Sequence, residues 1–170
     1  MLDRKWEICH LIEQLMGYDI QAIVSMLPVL QAHCSDFTQA VVVRLTENYG
    51  LIPMTNDLLD EAGVTGTNGT FYKCTFEVAD WIRAISASGA VAYIEAEFFG
   101  GVGNQNATVW SSGEAILPPI QNPEAINMAL RLLGVSKGSF PDEFEAIGLP
   151  RHRDTDDWTG DAVQKPIKSL

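Results

Sequence analysis

Apolar positions along this chain follow two periods. Ile8, Leu11, Ile12 and Leu15 recur at helical spacing, which predicts a helix over 3–16 with Asp3 as its cap and Gly17 as its stop. Ile20, Ile23, Val24 and Leu27 repeat that spacing and predict a second helix, capped by Asp19 and kinked or ended near Pro28. Ala40 to Leu45 is β-branched and reads as a strand. Glu47 to Gly50 is a turn into a second strand, Leu51 to Met54, which Pro53 places at an edge or ends. Thr55 caps a short helix, Asn56 to Ala62, closed by Gly63. A loop over 63–70 leads to a short strand, Phe71 to Cys74. Thr75 then caps a helix whose apolar face is Val78, Trp81, Ile82 and Ile85.

The period changes to two in Ala90–Phe99. Ala92, Ile94, Ala96 and Phe98 point one way; Tyr93, Glu95, Glu97 and Phe99 point the other. Glycines 100, 101 and 103 follow, then a second β-prone run, Gln105–Ser111, so the stretch predicts a long β-hairpin. Ala115 to Leu117 adds a short strand, broken by Pro118-Pro119. Asn122 and Pro123 start a helix with Ile126, Ala129, Leu130 and Leu133 on one face, ended by Gly134, and Pro141 to Ile147 is one more short helix. Strands gather in the middle of the chain, with helices outside them. The expected class is α+β: an antiparallel sheet of about four to six strands with helices packed mainly on one face. Residues 1–158 are expected to form a single domain and residues 159–170 a mobile C-terminal tail.

Charge narrows the partners. Eleven basic residues against 22 acidic ones leave a net charge of −11, spread over both halves of the chain. Such a field repels nucleic acid and anionic membrane and attracts basic proteins. No apolar run is long enough to span a bilayer, and the first residues lack the apolar core of a signal peptide. With three widely spaced cysteines, the expected compartment is the cytoplasm.

Candidate chemistry is sparse. Glu95 and Glu97 share a strand face, at roughly 6–7 Å, beside aromatic rings. The pair could serve acid–base work, or the face could recognise a partner through Tyr93, Glu95, Glu97, Phe99, Asn104 and Gln105. If the carboxylates are a catalytic pair, Glu95→Gln with Glu97→Gln should leave folding intact. The GGVGN turn lacks the Lys-Ser/Thr of a P-loop and joins two strands, so it reads as a hairpin turn. Cys9-His10 and His33-Cys34 have the wrong spacing for chelation, and no metal or cofactor is expected. No G-x-S-x-G elbow or other catalytic set is present, so no catalytic residue is assigned. Arg151, His152 and Arg153 against Asp154, Asp156 and Asp157 form a charge-zoned segment expected to fold back through local ion pairs, with Trp158 as its anchor.

AYIEAEFFGGVGNQNATVW, AINMALRLLGV and DEFEAIGLPRHRDTDDW, across about residues 90–158, together resemble a pattern of uncharacterised small bacterial proteins. In size and acidity the chain is also similar to immunity proteins of bacterial polymorphic-toxin systems. That resemblance implies a protein-binding inhibitor of a basic partner, such as a nuclease toxin, and carries no site residues. The alternatives are a small hydrolase using Glu95 and Glu97, and a homodimer joined through the hairpin or an edge strand.

Overall fold

The computed structural model describes residues 17–165, and the predicted helix over 3–16, with Cys9 and His10, lies outside them. Seven strands form one antiparallel sheet: β1 (Tyr18–Met26), β2 (Val42–Arg44), β3 (Tyr49–Pro53), β4 (Val91–Phe99), β5 (Val102–Ser111), β6 (Glu114–Gln121) and β7 (Ala162–Gln164). Their order across the sheet is β6-β5-β4-β1-β3-β2-β7. Among the described residues five α-helices accompany them: α1 (Leu27–His33), α2 (Asn56–Ala62), α3 (Phe76–Ile85), α4 (Ala125–Leu132) and α5 (Glu143–Ile147). The α+β class and the antiparallel sheet are as expected, with seven strands in place of four to six.

The helix expected from Asp19 is instead β1, the central strand, paired with β4 on one side and β3 on the other. Ile20, Ala22, Ile23 and Val24 are all fully buried, because both faces of this strand are covered. A strand buried on both faces loses its polar alternation, and its apolar residues then fit helical spacing by coincidence. The chain becomes helical only at Leu27, where Pro28 sits in the first turn and needs no hydrogen-bonded N–H.

Helices cover both faces of the sheet, not mainly one. On the first face Ile20, Ala22, Val24, Ala92, Ile94 and Ala96 pack under Ile126, Ala129 and Leu130 of α4, with Trp158. On the second, Ile23, Val91 and Tyr93 pack under α1 and α3 through Leu27, Leu30, Val78, Trp81, Ile82 and Ile85. Thr55 and Thr75 cap α2 and α3 as expected, accepting from the N–H groups of Leu58 and Val78.

Four further local expectations change. Residues 71–74 are a bent loop, not a strand. β6 runs on through Pro118 and Pro119, which fall where the β5–β6 register is irregular, on an edge strand with only one ladder to interrupt. α4 starts at Ala125; Asn122 Oδ1 accepts from Glu124 N–H (2.8 Å) and Gln105 Oε1 from Ile126 N–H (3.2 Å), so two orphan donors of the first turn are met from outside the helix. Residues 159–164, assigned from sequence to a tail, complete a 3₁₀ helix (Thr155–Asp161) and form β7 against β2.

Candidate functional site

The β4–β5 hairpin forms as expected. Phe99 pairs with Val102 across a two-residue loop, and Gly100 and Gly101 both take positive φ, 60° and 79°. That is the pattern of a type I′ turn, whose twist matches the strands. The register distributes the candidate residues over two faces. Tyr93, Glu95, Glu97 and Phe99 share one, with Asn106 opposite Glu95 and Asn104 opposite Glu97. Gln105 pairs with Ala96 on the other face, so it does not belong with the acidic set.

Burial divides the acidic face again. Tyr93 is fully buried and Glu95 is 1 % exposed, whereas Phe99 is 80 % exposed and Val102 79 %. Glu97 and Asn104 are exposed. A partner docking here would meet Glu97, Phe99, Val102 and Asn104, and would not reach Tyr93 or Glu95.

Glu95 is committed to the fold. Its Oε2 accepts from Tyr72 N–H (2.7 Å); its Oε1 accepts from Lys73 N–H (2.7 Å) and from the Tyr93 hydroxyl (2.8 Å). Consecutive backbone N–H groups of the 71–74 loop thus converge on one carboxylate, a concave anion site filled from within the chain. Thr70 Oγ1 donates to the buried Asn106 Oδ1 (2.7 Å), and the Phe71 ring meets the Tyr93 ring edge-to-face at 5.2 Å. Burial pushes the Glu95 carboxyl above its ordinary value, and the bonds from Tyr72, Lys73 and Tyr93 oppose that shift. Glu95 and Glu97 therefore share a face without forming a matched catalytic pair: one is caged and the other is open to solvent.

The charge-zoned segment folds back around Trp158, but Arg151 and His152 pair with Asp161 in place of the expected Asp154, Asp156 and Asp157. His152 Nε2 lies 2.7 Å from Asp161 Oδ2 and Arg151 Nη1 lies 3.4 Å from the same oxygen; the His152 hydrogen bond leads in holding Asp161 below the usual carboxylate range. Trp158 is fully buried, with the His152 ring edge-on at 4.9 Å and Arg151 over its face at 5.4 Å. Asp19 N–H donates to Arg153 C=O (2.7 Å) and Gln21 N–H to Thr155 Oγ1 (3.0 Å), so this segment runs along β1 where β3 has ended. Of the two adjacent His/Cys pairs, His33 contacts Asp36 at 2.9 Å while Cys34 is buried with its thiol toward Ala40 C=O.

Sequence reasoning missed a cleft of about 310 Å³ on the α4 side of the sheet, at its hairpin end. Tyr18, Phe98 and Phe144 line it with Gln105, Asp142 and Arg153. Its walls are held in place: the Tyr18 hydroxyl donates to Leu149 C=O (3.2 Å), Phe144 N–H donates to Asn127 Oδ1 (2.9 Å), and Asn127 Nδ2 donates to Asp142 Oδ2 (3.4 Å). Burial pushes the Tyr18 phenol above its ordinary range, with the positive charge of Arg153 opposing. The one local signal was Asn127, a polar residue inside the apolar face of a helix and only 8 % exposed.

Comparison with known proteins places the chain in no group: no family model, no curated protein and no solved structure matches it.

Proposed function

We propose that this chain is a protein-binding protein, an inhibitor of the immunity type, and that it engages a basic partner through the tip of the β4–β5 hairpin. The observation that carries this reading is the pair Phe99 and Val102, 80 % and 79 % exposed on adjacent strands of a hairpin whose turn is fixed by two glycines. Two apolar side chains presented on a stiff scaffold offer anchor area at little ordering cost. Glu97 beside them and the net charge of −11 supply attraction toward a basic surface. The hydrolase alternative is weakened because Glu95 already accepts three hydrogen bonds. Pairing of two copies through β6 is disfavoured by Pro118 and Pro119, which offer no N–H.

The test places a photo-crosslinking amino acid at position 99 of the full chain, in cells that make it, with position 60 on α2 as control. A basic protein crosslinked from position 99, and not from 60, is the expected result. Equal labelling from both positions, no protein adduct, or an adduct of twice the chain mass would each overturn the reading.

A further inference from the structure

We infer that the cleft on the α4 side binds a small zwitterion of the amino-acid class, with an ammonium and a carboxylate on an apolar body. Three rings, Tyr18, Phe98 and Phe144, supply apolar wall from three separate elements, and Tyr18 meets Phe144 edge-to-face at 5.5 Å. Aromatic walls accept both an apolar side chain and an ammonium over a ring face. The small residue Ala96 on β4 leaves the space between them.

The charges come from different elements. Asp142 and Glu145 stand at the start of α5, while Arg153 comes from the segment bonded to Asp19 along β1. A ligand of one sign would be attracted by one group and repelled by the other. A dipolar ligand is stabilised by both. Asp142 caps α5 through Oδ1, 2.9 Å from Glu145 N, and a carboxylate has lone pairs to spare for a further donor. Arg153 has a partner of its own, but a guanidinium carries five donors, and the inference requires its charge beside the cleft and not its freedom. Gln105 Oε1 is occupied by Ile126 N–H, which leaves its amide NH₂ as a donor for a carboxylate. A volume of about 310 Å³ lies at the small end of the range for ligand sites, which suits a free amino acid and not a nucleotide.

Isothermal titration of the full chain with L-phenylalanine, phenethylamine and 3-phenylpropionate tests this. Saturable one-to-one binding of L-phenylalanine is expected, with the other two at least tenfold weaker. Arg153→Gln should weaken L-phenylalanine at least tenfold and leave phenethylamine unchanged. Glu145→Gln, at an exposed position, should weaken both and spare 3-phenylpropionate, and it decides the matter should the Arg153 variant fail to fold by circular dichroism. Phe99→Ala should change none of the three, which separates this site from the hairpin tip. No binding of L-phenylalanine, equal binding of phenethylamine, or binding unaffected by Glu145→Gln would overturn the inference.

Discussion

Glu95 holds a loop to a sheet by gathering two backbone N–H groups and a phenol onto one carboxylate. Glutamine in its place keeps the shape but turns one acceptor into an NH₂ donor, which then faces a donor. Glu95→Gln is therefore expected to cost about 1–3 kcal/mol at neutral pH, the usual penalty for a buried unsatisfied group. Chemical denaturation measures it. That outcome replaces the expectation that Glu95→Gln with Glu97→Gln leaves folding intact. A pH series carries a second signature. The Glu95 carboxyl is raised in the folded chain, so between the ordinary carboxylate value and the raised one the folded state holds more of the proton than the unfolded state. Its contribution to stability is then largest below the ordinary value and is lost as pH rises through the raised one. The stability difference between wild type and Glu95→Gln should shrink over that window, and a difference that grew with pH would contradict the direction of the shift. Phe99, by contrast, is 80 % exposed, and Phe99→Ala should leave stability within about 0.5 kcal/mol by the same denaturation assay.

At the scale of elements, the hairpin depends on its glycines for different reasons. Gly100 has φ +60° with open space around it, so Gly100→Ala pays only the left-handed backbone penalty, about 1–2 kcal/mol. A Cβ on Gly103 would run into the backbone of Glu97 and Phe98, which cannot move without breaking the ladder. Gly103→Ala should destabilise the chain by more than Gly100→Ala, and hydrogen exchange should show the added opening confined to 97–104. Such elements were legible in sequence where one face is wet and the punctuation is local: Thr55 and Thr75 cap their helices, and the alternation of Tyr93 to Phe99 survives. β1 was not, because a covered central strand has no polar face to set its period. Nor was the cleft, since Tyr18, Phe98, Gln105, Asp142 and Arg153 meet only after β1, β4 and β5 have paired and α5 has docked.

At the scale of the whole molecule, the C-terminal segment ties the sheet together. Trp158 fills the first face of the core at full burial, and the residues around it reach β1, β2 and β3. Trp158→Ala should cost about 3–5 kcal/mol by cavity formation. Its indole Nε1–H is buried without a hydrogen-bond partner among the described residues. Trp158→Phe gives up no bond, so it should cost markedly less than the alanine variant; thermal melts of the two would rank them. Equal losses would contradict this, because they would assign the stability to something that only the indole supplies.

The central position of β1 has a consequence during synthesis. Its residues, 18–26, are made well before β4, which flanks it along eight register positions and ends only at Phe99. At about 5–20 residues per second, the ribosome needs roughly 4–15 s to cover the interval. For those seconds a strand that is buried on both faces in the finished fold has one open edge and waits for its neighbour. The nascent chain is thus a client for whatever shields hydrophobic segments near the exit tunnel. A chain stopped at residue 89 should aggregate where the 170-residue chain does not.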